Sequence, residues 1–107
     1  MMLAKTERMN ELLDWYHMLL TERQQLCMSL YYYEDYSLAE IAENLSISRS
    51  AVFDLLKRTE VILEDYEEKL HCVSNYRKRN KMYVKIRSLN VKAVNSLIDE
   101  LEEIEKD

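Results

Sequence analysis

The absence of both glycine and proline from a chain of 107 residues is the feature that most restricts its fold. Tight turns in β-hairpins need backbone conformations that glycine and asparagine adopt most readily, so a β-protein of this length would require such residues. Helices joined by short polar turns have no such requirement. The composition therefore predicts an all-α fold, and the length is typical of a single domain, which we assign to residues 1–107.

The apolar residues are numerous but never form a long run. They make up 48% of the sequence, and no stretch approaches the ~18 consecutive apolar residues expected of a membrane-spanning helix. Lys5, Glu7 and Arg8 place charges at the first few positions, where a secretory signal would have its apolar segment. We therefore expect a cytoplasmic protein that does not associate with a membrane.

The sequence contains no recognisable arrangement of catalytic or metal-binding residues. Cys27 and Cys72 are far apart, and His71 would point about 100° away from the adjacent Cys72 on a helix. The composition excludes a glycine-rich phosphate loop, and neither His17 nor His71 has a neighbouring nucleophile for a catalytic triad. We expect two buried thiols, no metal, no cofactor and no enzymatic activity.

Apolar residues at helical spacing predict a first helix at about residues 3–19. A second helix should begin after Thr21, because Thr21 and Gln24 have the spacing of a capping box, and should extend to about Asp35. The residues expected on its inner face are Leu26, Leu30 and Tyr33.

A helix-turn-helix unit is predicted at residues 37–58. Such a unit needs a small residue where its two short helices cross and apolar residues at fixed offsets around it. Ala42 is the small residue, Ser37 and Glu40 form a capping box before it, and Ser48 is a good N-cap for the second helix. The apolar positions around the crossing are all filled, by Ile41, Leu45, Ile47, Val52 and Leu55.

The turn between these two helices departs from the usual pattern at one position. The residue four places after Ala42 is commonly glycine, because it adopts a left-handed conformation, and here it is Ser46. Keeping that conformation at a serine costs about 1 kcal/mol. The turn is therefore either retained at this cost or altered in geometry.

The second helix of the unit carries the residues that would enter a major groove of DNA. These residues are Ser48, Arg49, Ser50, Phe53, Asp54, Lys57 and Arg58. Arg49 could donate two hydrogen bonds to a guanine edge, and Phe53 could contact a thymine methyl group. Lys57 and Arg58 could hold phosphates, whereas Asp54 could accept only from a cytosine amino group. The alternative is an ordinary solvated helix face.

The apolar stripe of this helix continues beyond the length of an ordinary recognition helix. Steps of three and four residues reach Val73, so we predict one long helix that ends between residues 74 and 90, with Asn90 capping a last helix. The residues expected on the inner face of the last helix are Val94, Leu97, Ile98, Leu101 and Ile104. Residues 59–107 thus form a C-terminal helical extension.

Charge alternates along this extension. Residues 59–68 contain five acidic and no basic residues, residues 69–92 eight basic and no acidic ones, and residues 93–107 six acidic and one basic. The first block lowers affinity for a polyanion. Candidate contacts to nucleic acid or a protein partner are Arg77, Lys78, Arg79 and Lys81, which lie between Tyr76 and Tyr83. The alternative is pairing between the basic and the acidic C-terminal stretches, within one chain or across a dimer.

We expect a homodimer formed through the C-terminal helices. Their apolar stripes extend past what a core of four helices can cover, so that some of this surface needs a further partner. A two-fold dimer would also present two recognition helices, as palindromic DNA sites require.

The sequence resembles two families of bacterial proteins. Residues 21–63, and above all Ser37–Ala42 and Ser48–Val52, are similar to region four of bacterial sigma factors. Nearly the whole chain resembles the YlxM family of small helix-turn-helix proteins. The residues that carry this second resemblance are Lys5–Asn10, Met28–Tyr32, Ser37–Glu43, Ser48–Arg49, Ala51–Val52, Lys57–Glu60 and Glu64–Leu70. Genes of the YlxM family commonly lie beside those for signal recognition particle GTPases, so this resemblance implies a regulatory part in that pathway.

Two functions are compatible with these observations. The first is a dimeric regulator that binds duplex DNA. The second is a non-enzymatic interaction module that contacts RNA polymerase, components of the secretion pathway or their RNA. The filled apolar positions of the helix-turn-helix favour the first function, while Asp54 and the net charge of −5 favour the second.

Overall fold

A computed structural model describes residues 3–106 of the chain. These residues form α-helices, one short 3₁₀ helix and the turns between them, without any β-strand. The helices are α1 (Leu3–Tyr16), α2 (Glu22–Tyr32), α3 (Leu38–Leu45), α4 (Arg49–Leu70), α5 (Cys72–Arg87) and α6 (Lys92–Glu105), and the 3₁₀ helix is His17–Leu19. The predicted all-α fold is confirmed.

The chain divides into two compact units at the boundary between Val73 and Ser74. In the first unit α4 packs against α1, α2 and α3, so it is the central element. The core of this unit consists of Met9, Leu12, Leu13, Tyr16, Leu20, Cys27, Met28, Leu30, Tyr32, Ile41, Ala42, Val52, Leu56, Leu63 and Val73. The predicted small residue Ala42 is among the buried residues, as the crossing of two helices requires.

The inner face of α2 differs from the prediction. Leu30 is buried as expected, but Leu26 and Tyr33 are exposed, and Cys27 and Met28 are buried instead. The reason is that α2 packs against α1, α3 and α4, so it is covered on more than one side. A helix covered in this way does not follow the single stripe from which the inner face was predicted.

The turn of the helix-turn-helix keeps the left-handed conformation despite the absence of glycine. Ser46 has φ 57° and ψ 44°, and the backbone N–H of Ile47 donates to the carbonyl oxygen of Ala42 at 3.0 Å. This hydrogen bond satisfies a carbonyl group at the end of α3. The first of the two predicted outcomes, a retained turn, is therefore the one that occurs.

The helix after Ser48 ends earlier than predicted. α4 stops at Leu70, His71 adopts φ 57° and ψ 26°, and α5 begins at Cys72. A left-handed residue ends the hydrogen-bonding pattern of a helix. The predicted end between residues 74 and 90 was wrong, because the regular apolar spacing continues across the break and gives no sign of it.

Asn90 is not the cap that the sequence predicted. It has φ 55°, and the N-cap of α6 is Val91, which makes no side-chain hydrogen bond. Asparagine tolerates the left-handed region better than most residues. Asn90 therefore forms the turn before α6 rather than its cap.

The second unit contains α5 from Ser74 onward and α6, and the ion pairs between these two helices define an antiparallel hairpin. Ile98 is buried, but Leu97, Leu101 and Ile104 are exposed, so only part of the predicted inner face is covered. The side of α6 that pairs with α5 is narrower than the stripe read from the sequence, because a helix with one neighbour in its unit buries only one flank.

Candidate nucleic-acid interface

The two helices of the helix-turn-helix unit, α3 and α4, are both capped as the sequence predicted. Ser37 Oγ accepts from the backbone N–H of Glu40 at 3.1 Å, and Glu40 Oε1 accepts from the backbone N–H of Ser37 at 2.9 Å. The hydrogen bond from the Ser37 backbone N–H, together with the Ser37 side chain, lowers the pKa of the Glu40 carboxyl group. Ser48 Oγ accepts from the backbone N–H of Ala51 at 3.0 Å. The caps fix the first turn of each helix and thereby the directions of its side chains.

All seven predicted DNA-contact residues are exposed. From the start of α4, Arg49, Phe53 and Lys57 follow one another at steps of four residues and therefore form one row along the helix. The neighbouring row, also at steps of four, is Ser50, Asp54 and Arg58. A shallow depression at the helix start is lined by Leu38, Arg49, Ser50, Phe53 and Asp54.

Only some of the cationic side chains of this face already interact with other residues of the protein. Lys57 Nζ lies 5.4 Å from the centre of the Phe53 ring and 3.7 Å from Glu60 Oε1. Arg58 Nε donates to the carbonyl oxygen of Asp54 at 3.4 Å. Within residues 3–106, neither Arg49 nor Arg58 forms an ion pair, so both guanidinium groups are available to a ligand.

Much of the acidic block that follows these residues on α4 is neutralised inside the first unit. Glu60 accepts from the Tyr32 hydroxyl at 2.6 Å and lies 3.1 Å from Lys5 Nζ. Glu64 pairs with Arg8 at 2.7 Å. Carboxylates that are already paired repel an approaching phosphate less than free ones do. The acidic block therefore opposes nucleic-acid binding less than the residue count indicates.

Sequence reasoning missed a buried polar junction at the end of α4. Glu67 is buried and accepts from the Tyr16 hydroxyl at 2.5 Å and from the backbone N–H of Val73 at 3.0 Å. The Tyr16 oxygen in turn accepts from the backbone N–H of Cys72 at 3.0 Å. From the sequence, Glu67 was counted only as one of the five acidic residues at positions 59–68. Its position four residues after the buried Leu63 is the one signal that indicated otherwise.

In the second unit, part of the basic stretch pairs with the acidic end of the same chain. Arg79 forms an ion pair with Glu105 at 2.8 Å and lies 6.0 Å from the centre of the Tyr76 ring. Arg87 pairs with Asp99 and Glu102. The candidate residues Arg77, Lys78 and Lys81 are exposed. Their contact with nucleic acid or a protein stays a prediction.

The described residues contain no group of three or more His, Cys, Asp and Glu side chains that could hold a metal ion. Both cysteines are free, Cys27 being buried and Cys72 half-buried. Burial raises the pKa of Cys27 to about 11. Between residues 3 and 106, no helix has both the length and the apolar character needed to cross a membrane.

The capped α3 and α4, the left-handed turn between them and the exposed start of α4 define a helix-turn-helix protein. The chain belongs to the UPF0122 family, whose description is "Putative helix-turn-helix protein, YlxM / p13 like" and which it matches over residues 3–104. The resemblance to the YlxM family is thereby confirmed. The description is that of a helix-turn-helix protein and not of an enzyme family.

Relatives from several bacteria match almost the full chain. The UPF0122 protein YlxM of Bacillus subtilis (strain 168) is 46% identical over 110 residues, which cover 98% of this chain and 100% of the relative. A UPF0122 protein of Bacillus licheniformis is 49% identical over 107 residues, with 98% and 100% covered. A UPF0122 protein of Lactococcus lactis subsp. cremoris (strain MG1363) is 49% identical over 106 residues, with 99% and 95% covered.

Proposed function

We propose that the protein is a regulator that binds duplex DNA through the first three turns of α4. The observation that carries the proposal is the exposure of all seven predicted contact residues at the start of a capped helix, directly after a left-handed helix-turn-helix turn. In proteins of this class, the N-terminal part of the second helix enters the major groove.

Four side chains of this face have roles that their chemistry allows. Arg49, exposed in the first turn and free of ion pairs, donates two hydrogen bonds to a guanine edge. Phe53, with 49% of its surface exposed, contacts a thymine methyl group. Lys57 and Arg58 contact phosphates, since they lie more than two turns beyond Arg49, where α4 leaves the groove.

The net charge of −5 is compatible with DNA binding but limits its strength. Glu60 and Glu64 are held by Lys5 and Arg8, so the acidic charges nearest the contact face are compensated. The remaining acidic residues still repel DNA over distances comparable to the Debye length, about 10 Å at 0.1 M salt. Because added salt screens this repulsion as well as the phosphate contacts, we expect a salt dependence no steeper than the few phosphate contacts dictate, and little non-specific binding.

The oligomeric state and the regulated pathway also belong to the proposed function. The DNA-binding form is a homodimer, which matches a palindromic site with two recognition helices. The pathway that it regulates is that of the signal recognition particle, and this assignment rests on the resemblance to the YlxM family alone.

The proposal predicts different effects for the two kinds of contact. Arg49→Ala should lose about 1–3 kcal/mol of discrimination at one base pair, because a base-edge contact is removed. The double substitution Lys57→Ala with Arg58→Ala should weaken binding to all sequences. It should also reduce the slope of log affinity against log salt concentration by the amount that about two phosphate contacts contribute. Both effects are measured by selecting sites from random duplex DNA and titrating the selected site at several salt concentrations.

Arg23→Ala is the control, because it removes one exposed cation from α2, a helix that contributes none of the predicted contact residues. Its affinity and salt slope should equal those of the unchanged protein. Failure of random duplex selection at low salt to yield any bound sequence would refute the proposal.

A second candidate function is supported by the apolar surface beside the contact face. Val61, with 68% of its surface exposed, lines a depression with Lys57, Arg58 and Ile62. A surface of this kind suits an amphipathic helix of RNA polymerase or of a secretion-pathway protein better than it suits DNA. Val61→Glu separates the two functions, since it should abolish such a protein contact and change DNA affinity by less than about three-fold, a modest electrostatic effect. Titration with structured RNA, in parallel with duplex DNA, tests the remaining alternative, which is that the module contacts RNA.

A further inference from the structure

We propose that the second unit pairs with the second unit of another copy of this chain, with α5 of each protomer lying against α6 of its partner. This inference rests on the homodimer of the proposed function and deepens it by naming the surface and the arrangement of the helices.

The hairpin has too little core to be stable alone. Within residues 74–106, Ile98 is the one buried side chain. Ile98 is also absent from the hydrophobic cluster of the first unit. Two-helix units of fewer than about 40 residues need a partner, a metal or a disulfide to fold stably.

Ion pairs define which sides of α5 and α6 face each other. Arg87 pairs with Asp99 and Glu102, and Arg79, two turns earlier, pairs with Glu105. These contacts run in opposite directions along the two helices. They therefore fix the facing sides of an antiparallel pair.

Most of the exposed apolar residues of α5 and α6 fall on the same side of this hairpin. At about 100° per residue, a rotation away from the ion-pairing sides places Met82 of α5 on the side that carries Leu97 and Leu101 of α6. These three residues are exposed to 51%, 60% and 42%, respectively. Val84, exposed to 67%, falls on the opposite side. The hairpin thus has one apolar side, which nothing in its own unit covers.

The two edges of this apolar side carry opposite charges. Lys78 and Lys85 lie along the outer edge of α5, and Glu100 lies along the outer edge of α6, by the same helical geometry. All three are exposed. Within the described residues none of them forms an ion pair.

This charge pattern selects the partner and its orientation. A second copy placed face to face about a two-fold axis parallel to the helices sets the basic edge of α5 against the acidic edge of the partner's α6 at both sides. A two-fold axis perpendicular to the helices would set basic edge on basic edge. Like charges across an interface are unfavourable, so the first arrangement, a four-helix bundle, is the one that fits.

The size of the surface indicates the concentration at which pairing occurs. Two helices of this length present a face about 20 Å long and 20 Å wide, which is smaller than the ~800 Å² per partner of a standard stable interface. We therefore expect association in the micromolar range.

Sedimentation equilibrium of the full chain without DNA, from 1 to 300 μM, tests the proposal. The mass should rise from the monomer value of 12.9 kDa towards twice that value. Leu97→Glu should weaken the dimer at least ten-fold, because it places a charge in the apolar side. Val84→Glu is the matched control, since it introduces the same charge at an equally exposed position on the opposite side, and it should leave the dissociation constant unchanged within two-fold. Circular dichroism verifies that both variants keep their helices.

Charge reversal tests the orientation. Lys78→Glu with Lys85→Glu should weaken the dimer about ten-fold, and adding Glu100→Lys should restore most of this loss. A monomer at all concentrations, or equal effects of Leu97→Glu and Val84→Glu, would overturn the proposal. If Leu97→Glu dissociates the dimer but adding Glu100→Lys does not restore it, the α5-to-α6 arrangement is overturned. A dimer that forms normally but selects no DNA would refute the DNA proposal while leaving this one intact.

Discussion

At the level of single residues, the hydroxyl group of Tyr16 joins two helices through one buried oxygen. It donates to Glu67 on α4 and accepts from the backbone N–H of Cys72 at the start of α5. Tyr16→Phe leaves a buried carboxylate and an amide each without one partner, so we expect a loss of about 1–3 kcal/mol in the free energy of unfolding. Urea denaturation followed by circular dichroism measures it.

Tyr66→Phe is the control for this substitution, because it removes a hydroxyl that donates to the carbonyl oxygen of Leu19 at 3.3 Å in an exposed setting. Its cost should be within about 0.5 kcal/mol of zero. Equal losses in the two variants would mean that the buried junction contributes no more than a surface hydrogen bond.

The Tyr16 hydroxyl should also make stability depend on alkaline pH. Burial and the hydrogen bond to Glu67 raise the pKa of Tyr16 above its ordinary value of 10.0, whereas the tyrosine of the unfolded chain titrates near that ordinary value. The folded state therefore holds the proton more tightly. The stabilisation is fully present below pH 10 and is lost as the pH rises above it. Urea denaturation at pH 9 to 11.5 should show a steeper fall for the unchanged protein than for Tyr16→Phe; parallel curves would contradict the assignment.

At the level of helices, the sequence predicted where most of them begin better than which sides they bury. The caps at Thr21, Ser37 and Ser48 are formed by a few neighbouring residues, so their spacing suffices to find them. The exposure of Leu26 depends on how many helices surround α2, and no local pattern contains that information. The break at His71 escaped prediction for a similar reason. The Glu67 side chain accepts from the backbone N–H of Val73 in the first turn of α5, and it also accepts from the distant Tyr16 hydroxyl on α1.

The turn between α3 and α4 provides a test at this scale. Ser46 has φ 57°, a region that glycine occupies at no steric cost. Ser46→Gly should therefore raise the free energy of unfolding by about 0.5–1 kcal/mol, after allowance for the greater freedom of glycine in the unfolded chain. Ser46→Ala, which keeps the steric cost, should show no such gain. A lower stability for Ser46→Gly in thermal denaturation would mean that the serine side chain itself supports the turn.

At the level of the whole molecule, the candidate contact face was predictable because it depends on one compact motif. Residues 37–58 contain both the apolar positions that orient α4 and the exposed positions that it presents, so the spacing around Ala42 located both. The pairing of the basic and acidic C-terminal stretches was left open, because net charge per segment does not specify a register. Within residues 3–106, Arg79 and Arg87 form ion pairs with acidic residues, whereas Lys78 and Lys85 form none, and only the geometry of α5 distinguishes these two pairs.

The division into two units predicts unequal local stability. The first unit has a core of fifteen buried residues, whereas residues 74–106 bury one, and amide protection follows the free energy of local opening. Hydrogen exchange at 1 μM should therefore be at least ten-fold faster in residues 74–106 than in α4. At 300 μM the difference should narrow, because dimerisation stabilises the folded hairpin by mass action. Leu97→Glu should keep the fast exchange at both concentrations, while Val84→Glu should behave like the unchanged protein. Protection of the hairpin that equals that of α4 at 1 μM, and does not change with concentration, would show that the hairpin is stable without a second copy.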